Sequence, residues 1–189
     1  MKDGQAYIVV AQTHEKVLRE IRQKRDSHSK NHVTFFSNPG SVLEEVLREP
    51  VDIVVTGQCF YQTDLNSFHE VLMARMEAMI EGPEALDRHY RPPLSSPNRG
   101  TVLAHEIHRI NPNVLVFRYS VAPEEVGELS GEIAKDVGAH SDLLRFLDSL
   151  QLAAIVAKKD WQQLMTTFPF IQFYHPVGGW KNKKEERLI

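Results

Sequence analysis

Few residues in this chain have the type and spacing to do chemistry. Cys59 stands two residues beyond a strand-like run that ends at Gly57, a place where nucleophiles collect in open α/β sheets. A catalytic thiol needs a lowered pKa and a nearby base, and His14, after the first strand-like run, is the candidate base. The plainer reading of Cys59 is a small, partly buried packing residue. His105 and His108 sit three apart on a helical pattern, as zinc ligands can. A metal site needs a third ligand, and nothing in the sequence brings His89 or His140 to them, so no metal is expected. Arg88, Arg91 and Arg99 flank a proline-rich stretch and are candidate contacts for an anion or an acidic partner.

The bulk composition narrows the field. The chain has 189 residues, 42% hydrophobic and 25% charged, enough for one domain with a full core. A net charge of -3 gives no global attraction to nucleic acid. No apolar run approaches the roughly 18–20 residues that a membrane span needs. The first residues run directly into a strand-like segment, so no secretory signal is expected, and the single cysteine fits a reducing cytoplasm. The basic stretch from Trp180 to Lys184 is too short to argue nucleic-acid binding.

The elements that must position these residues follow from hydrophobic periodicity. Ala6 to Ala11, His32 to Phe36, Asp52 to Gly57 and Val114 to Phe117 read as strands. Helical stripes lie between them: Val17, Leu18 and Ile21; Val42, Val46 and Leu47; then Val102, Leu103, Ile107 and Ile110. Thr13 is the expected cap of the first helix, and Ser41 to Glu44 has capping-box spacing for the second. Alternation of strand and helix argues for parallel strands with crossover helices. An amphipathic stretch interrupts the alternation; its Met76 and Met79 are expected to pack on the domain or on a second copy, the alternative being that Met73, Met76 and Met79 form a docking surface for a partner. Beyond Gly138 two readings stay open. Either 142–146 is the fifth strand, or Ser141 caps a helix and 170–174 is the fifth strand. Leu152 to Met165 reads as helix.

Taken together, these segments resemble the receiver domains of bacterial two-component response regulators. The resemblance rests on the first run and its turn, on Asp52 to Gly57 as third strand, and on Pro97 to Gly100 followed by a helix ending at Asn111-Pro112. It rests also on the strand after Asn113 and on the pair Gly138-Ala139. It implies an α/β, three-layer, flavodoxin-like fold with a mostly parallel five-stranded sheet and a helical insertion at about residues 59–96. The whole of 1–189 is then expected to be one receiver-like domain with a charged tail at about 181–189.

The family's functional residues do not carry over. Its magnesium-holding acids match Ala11 and Gln12, and its phosphate-accepting aspartate matches Gly57. Its switch serine or threonine matches Arg118 or Tyr119. Its lysine at the fifth strand matches Arg145 or, on another alignment, His175. Aspartyl phosphorylation needs a carboxylate and hard oxygen ligands for magnesium. The resemblance therefore implies a pseudo-receiver: a regulatory module independent of phosphorylation, acting through unidentified protein partners, self-associating as a homodimer, and needing no cofactor. The alternative is a small flavodoxin-like enzyme acting on a nucleotide or other anion, with Cys59, His14, Arg118 and Tyr119 lining its site.

Overall fold

A computed structural model describes residues 4–12, 14–25, 29–57, 99–121, 129–136 and 138–180. The expected strands form as β1 (Tyr7–Ala11), β2 (His32–Phe36), β3 (Ile53–Gly57) and β4 (Leu115–Ser120). The first three helices are α1 (Glu15–Lys24), α2 (Pro39–Arg48) and α3 (Arg99–Ile110). Strands β1 and β3 are buried along their whole length, which is why they read as unbroken apolar runs.

The fifth strand differs from both expectations. It is β5 (Gly131–Ala134), and residues 142–146 lie in helix α4 (Ser141–Leu147). Gly138 and Ala139 therefore follow the fifth strand instead of preceding it. The segment at 170–174 supplies a sixth strand, β6 (Gln172–Phe173), which is antiparallel to β5. The sheet thus has six strands in the order β2-β1-β3-β4-β5-β6, with β1 to β5 parallel. The expected helix over 152–165 is two helices, α5 (Leu152–Lys158) and α6 (Trp161–Thr167). Lys159 breaks it in the left-handed region, and the Asp160 carboxylate then accepts the Gln163 N–H as an N-cap.

The caps also depart from expectation. His14 occupies the N-cap of α1 without a side-chain cap bond. In α2, Asn38 is the cap, accepting the Gly40 N–H, and Pro39 takes the first turn, where its missing N–H costs nothing.

Two apolar clusters lie on opposite faces of the sheet, making three layers. On one face Ile8, Val10, Ile53, Val55, Phe117 and Tyr119 meet α1, α4, α5 and α6. On the other, Val9, Val54 and Val116 meet α2 and α3. Among the described residues no helix is long and apolar enough to cross a membrane. The segment after β6 folds under the amino end of β4. Trp180 is 1% exposed there, and its Nε1–H donates to the Asn113 carbonyl at 3.0 Å. Its indole is therefore a core element and not an exposed stacking platform.

Candidate functional site

Because β1, β3, β4 and β5 run parallel, their carboxyl ends share one edge. In such sheets the crevice opens where strand order reverses, here between β1 and β3. Gly57 ends β3, and Gln12 follows β1, its backbone N–H donating to the Phe36 carbonyl at 3.0 Å. Gln12 is 5% exposed, and its amide lies across the α-carbon of Gly57. A Cβ at position 57 would stand 2.5 Å from Gln12 Oε1 and 2.8 Å from Nε2, closer than packed atoms approach. Among the described residues Gln12 Nε2 has no hydrogen-bond partner.

Side chains alternate across a strand, so the edge carries two rows. On the α1 side, Tyr119 is in register with Gly57. The Tyr119 hydroxyl meets His140 Nδ1 at 2.7 Å, and His140 Nε2 meets Glu20 of α1 at 3.2 Å. Burial pushes the Tyr119 phenol above its usual range, and the negative charges of Asp136 and Asp142 add to this. The hydrogen bond from His140 holds the Glu20 carboxyl below its usual range, with Lys16 and Lys24 acting in the same direction. Lys135, directly after β5, places its ammonium 5.8 Å from the Tyr119 ring centre.

On the α2–α3 side, Thr56, Arg118 and Glu132 are in register across three strands. Arg118 Nε and Nη2 each donate to a Glu132 oxygen at 3.0 Å, with both side chains 1% exposed. Ser120 Oγ also donates to Glu132, and Tyr174 Oη donates at 2.7 Å. Burial works against the Glu132 charge, but the hydrogen bonds from Arg118, Ser120 and Tyr174 outweigh it and hold its pKa below the usual carboxylate range.

These rows separate the residues picked from sequence. Gln12, Gly57 and Tyr119 come together on one face. Ala11 packs among apolar residues of the opposite face, where Arg118 is neutralised by Glu132. Arg145 lies elsewhere, on the exposed side of α4, 3.6 Å from Asp142 and stacked on Phe170. His175 follows β6 toward the amino edge of β5, away from the crevice. With β5 at Gly131–Ala134, the basic residue at the end of the fifth strand is Lys135. Arg99 begins α3. Cys59, Met73, Met76, Met79, Arg88, His89, Arg91, the rest of the 59–96 insertion and the 181–189 tail lie outside the described residues.

The histidines do not converge. His105 is exposed on α3, and His108 Nε2 meets the Val114 carbonyl at 3.1 Å. His140 is on the other side of the sheet. Among the described residues no three His, Cys, Asp or Glu side chains group as metal ligands.

Sequence reading missed Glu132, Lys135 and the partnership of His140 with Glu20. The β5 sequence Gly-Glu-Ile-Ala is short and carries a charge, so it shows no apolar run. The signal that was available is the Glu132 charge at alternate spacing from Ser130, on the same side as Arg118 of the preceding strand.

Comparison with known proteins gives likeness of fold at low identity. No family model and no curated protein matches this sequence. One similar solved structure is the signal receiver domain of an HD domain-containing protein from Pseudomonas fluorescens Pf-5. It is 14% identical, with a TM-score of 0.46, over 86% of this chain and 97% of that one. Another is the RcsB response regulator of Salmonella typhimurium, 14% identical with a TM-score of 0.49, over 82% of this chain and 67% of that one. RcsB dimers bound to two parallel DNAs are also similar, at 13% identity and a TM-score of 0.46, over 86% and 68% of the respective chains. The α/β, mostly parallel architecture of this chain rests on its own strand order and pairing.

Proposed function

We propose that this chain is a receiver-like regulatory module that works without aspartyl phosphorylation, through protein contacts. The observation that carries the reading is the Gln12 amide seated on Gly57. At the tips of β1 and β3 the chain has Ala11, Gln12, Thr56 and Gly57, none of which is an acid. The space that a side chain at 57 would fill is taken by the Gln12 amide. Without an acid there, neither a phosphate acceptor nor a hard-oxygen magnesium site can form at that point. Conformation would then be set by which state a partner binds better. A cytoplasmic setting and self-association as a homodimer belong to the same reading, with Arg88, Arg91 and Arg99 as candidate partner contacts.

Incubation of the full chain with acetyl phosphate and magnesium tests it. Intact mass should show no added phosphate, and sedimentation should show a dimer that the treatment leaves unchanged. Stoichiometric, hydroxylamine-labile phosphate on an aspartate would overturn phosphorylation independence. A monomer at all accessible concentrations would overturn the dimer. The enzyme alternative keeps one discriminating test, the reactivity of Cys59. A thiol much faster than free cysteine, and slowed by His14→Ala, would favour it.

A further inference from the structure

Strand β2 forms one edge of the sheet and pairs with β1 alone. Its backbone groups alternate in direction. The His32 N–H donates to the Ala6 carbonyl at 2.9 Å, and the Phe36 carbonyl accepts from the Gln12 N–H at 3.0 Å. In a parallel ladder every second residue turns both groups to the same neighbour, so His32, Thr34 and Phe36 face β1. Val33 and Phe35 turn theirs outward. Among the described residues the one contact to these outward groups comes from Arg22, whose Nη2 donates to the Phe35 carbonyl at 3.5 Å. That contact is long and exposed, and the oxygen keeps a second lone pair. The strand has none of the usual blocks against edge pairing: no proline, no lysine, and no bulge in its register with β1. Its Val33, Phe35 and Phe36 side chains are only partly buried.

This edge is complementary to itself. A second β2, antiparallel and related by a two-fold axis at Thr34, sets Val33 opposite Phe35 of the second copy. Residues so placed exchange both N–H···O bonds, which satisfies every outward group of the strand. Thr34 then meets its own copy in the close, non-hydrogen-bonded position. A β-branched side chain faces an aromatic one and threonine faces threonine, both of them pairs that stabilise a sheet. The charges agree with this register. Lys30, the charged residue that flanks the strand, comes opposite Asn38, so no like charges meet. Arg22 lies over the Phe35 ring, 4.9 Å from its centre, which puts the two guanidiniums on opposite sides of the axis.

We propose that the β2 edge is the surface on which a second copy of this chain docks, joining the two sheets into one. The inference rests on the homodimer of the reading above and names its interface. Closed two-fold pairing uses up both edges, so the assembly stops at two copies. A strand of five residues is a short contact, so the dimer is reversible and follows concentration.

Amide exchange of the full chain at rising concentration, read beside sedimentation, is the test. The Thr34 and Phe36 amides, bonded to β1, should exchange slowly throughout. Those of Val33 and Phe35 should exchange fast in the monomer and slow by about tenfold or more as the dimer forms. Val33→Pro removes an outward N–H and leaves the ladder to β1 intact, a position where an edge strand accepts proline. It should raise the dissociation constant of the dimer at least about tenfold. A dimer whose Val33 and Phe35 amides stay fast would overturn this interface and leave the homodimer standing. A monomer at every concentration would overturn both. Slow Val33 and Phe35 amides in a monomer would mean that the same chain covers the edge, and the inference would fall. Should Val33→Pro not fold, exchange in the wild type still decides.

Discussion

Gln12 lies directly over Gly57, so the last residue of β3 can have no side chain unless Gln12 moves. The atoms that a new Cβ would meet are the terminal ones of a glutamine that is itself 5% exposed. Because those atoms are the far end of a flexible side chain, Gly57→Ala should destabilise the fold only at the low end of the roughly 1–3 kcal/mol typical of overpacking. Gln12→Ala in the same chain should recover much of that loss. Urea midpoints of the two single variants and the double variant give the coupling. Simple additivity would show that Gln12 is not what restricts position 57.

The Arg118–Glu132 pair makes a stronger prediction. Both groups are fully buried, so Glu132→Gln removes the carboxylate that takes two hydrogen bonds from the Arg118 guanidinium and should cost about 3–5 kcal/mol. Replacing both partners, as Arg118→Met with Glu132→Leu, should cost clearly less, because no charge is left stranded. Chemical denaturation at neutral pH compares them, and equal losses would refute the account.

The same carboxylate sets an acid dependence. The folded-state pKa of Glu132 is depressed, so its contribution is present above the unfolded value of about 4.3 and is lost as pH falls through the folded one. The wild type should lose stability progressively below about pH 4.3, with a flatter profile in Glu132→Gln. Matching slopes would remove Glu132 from the explanation.

At the alkaline end Tyr7 contributes alongside the more deeply buried Tyr119. Its hydroxyl donates to Glu45, and burial first, then that carboxylate, pushes its pKa up to about 12. A raised folded pKa means that the contribution is full below the unfolded value near 10 and is lost as pH rises toward about 12. Tyr7→Phe should abolish that part of the alkaline slope, as read from thermal midpoints between about pH 9 and 12. An unchanged slope would assign it to other groups.

Trp180 ties the chain after β6 to the base of the sheet. Trp180→Ala should cost about 3–5 kcal/mol, and Trp180→Phe should lose roughly 1 kcal/mol for the missing bond to Asn113. Calorimetry distinguishes these from the near-zero effect expected of a frayed end.

Long, uniformly apolar elements were legible from sequence. β1, β3 and β4 are buried on both faces, so local composition and tertiary environment agree, and the α/β class follows from their alternation with α1, α2 and α3. β5 was not legible. Its Glu132 is tolerable in the interior because Arg118, fourteen residues away, lies beside it in register, with Ser120 and Tyr174 adding hydrogen bonds. The apolar stripe of residues 142–147 fits either a short strand or one helix face, and packing on the sheet selects the helix.

The sequence by itself determined the parallel winding of the first four strands and the glycine at the end of β3, because hydrophobic period and residue type are local properties. The tertiary structure alone decided that Gln12 fills the space over that glycine, that Arg118 and Tyr119 serve opposite faces, and that His140 joins Tyr119 to Glu20. Each of these is a contact between residues distant in the chain. Strand register and the side from which a helix packs fix such contacts, and neither leaves a periodic signal in the residues themselves.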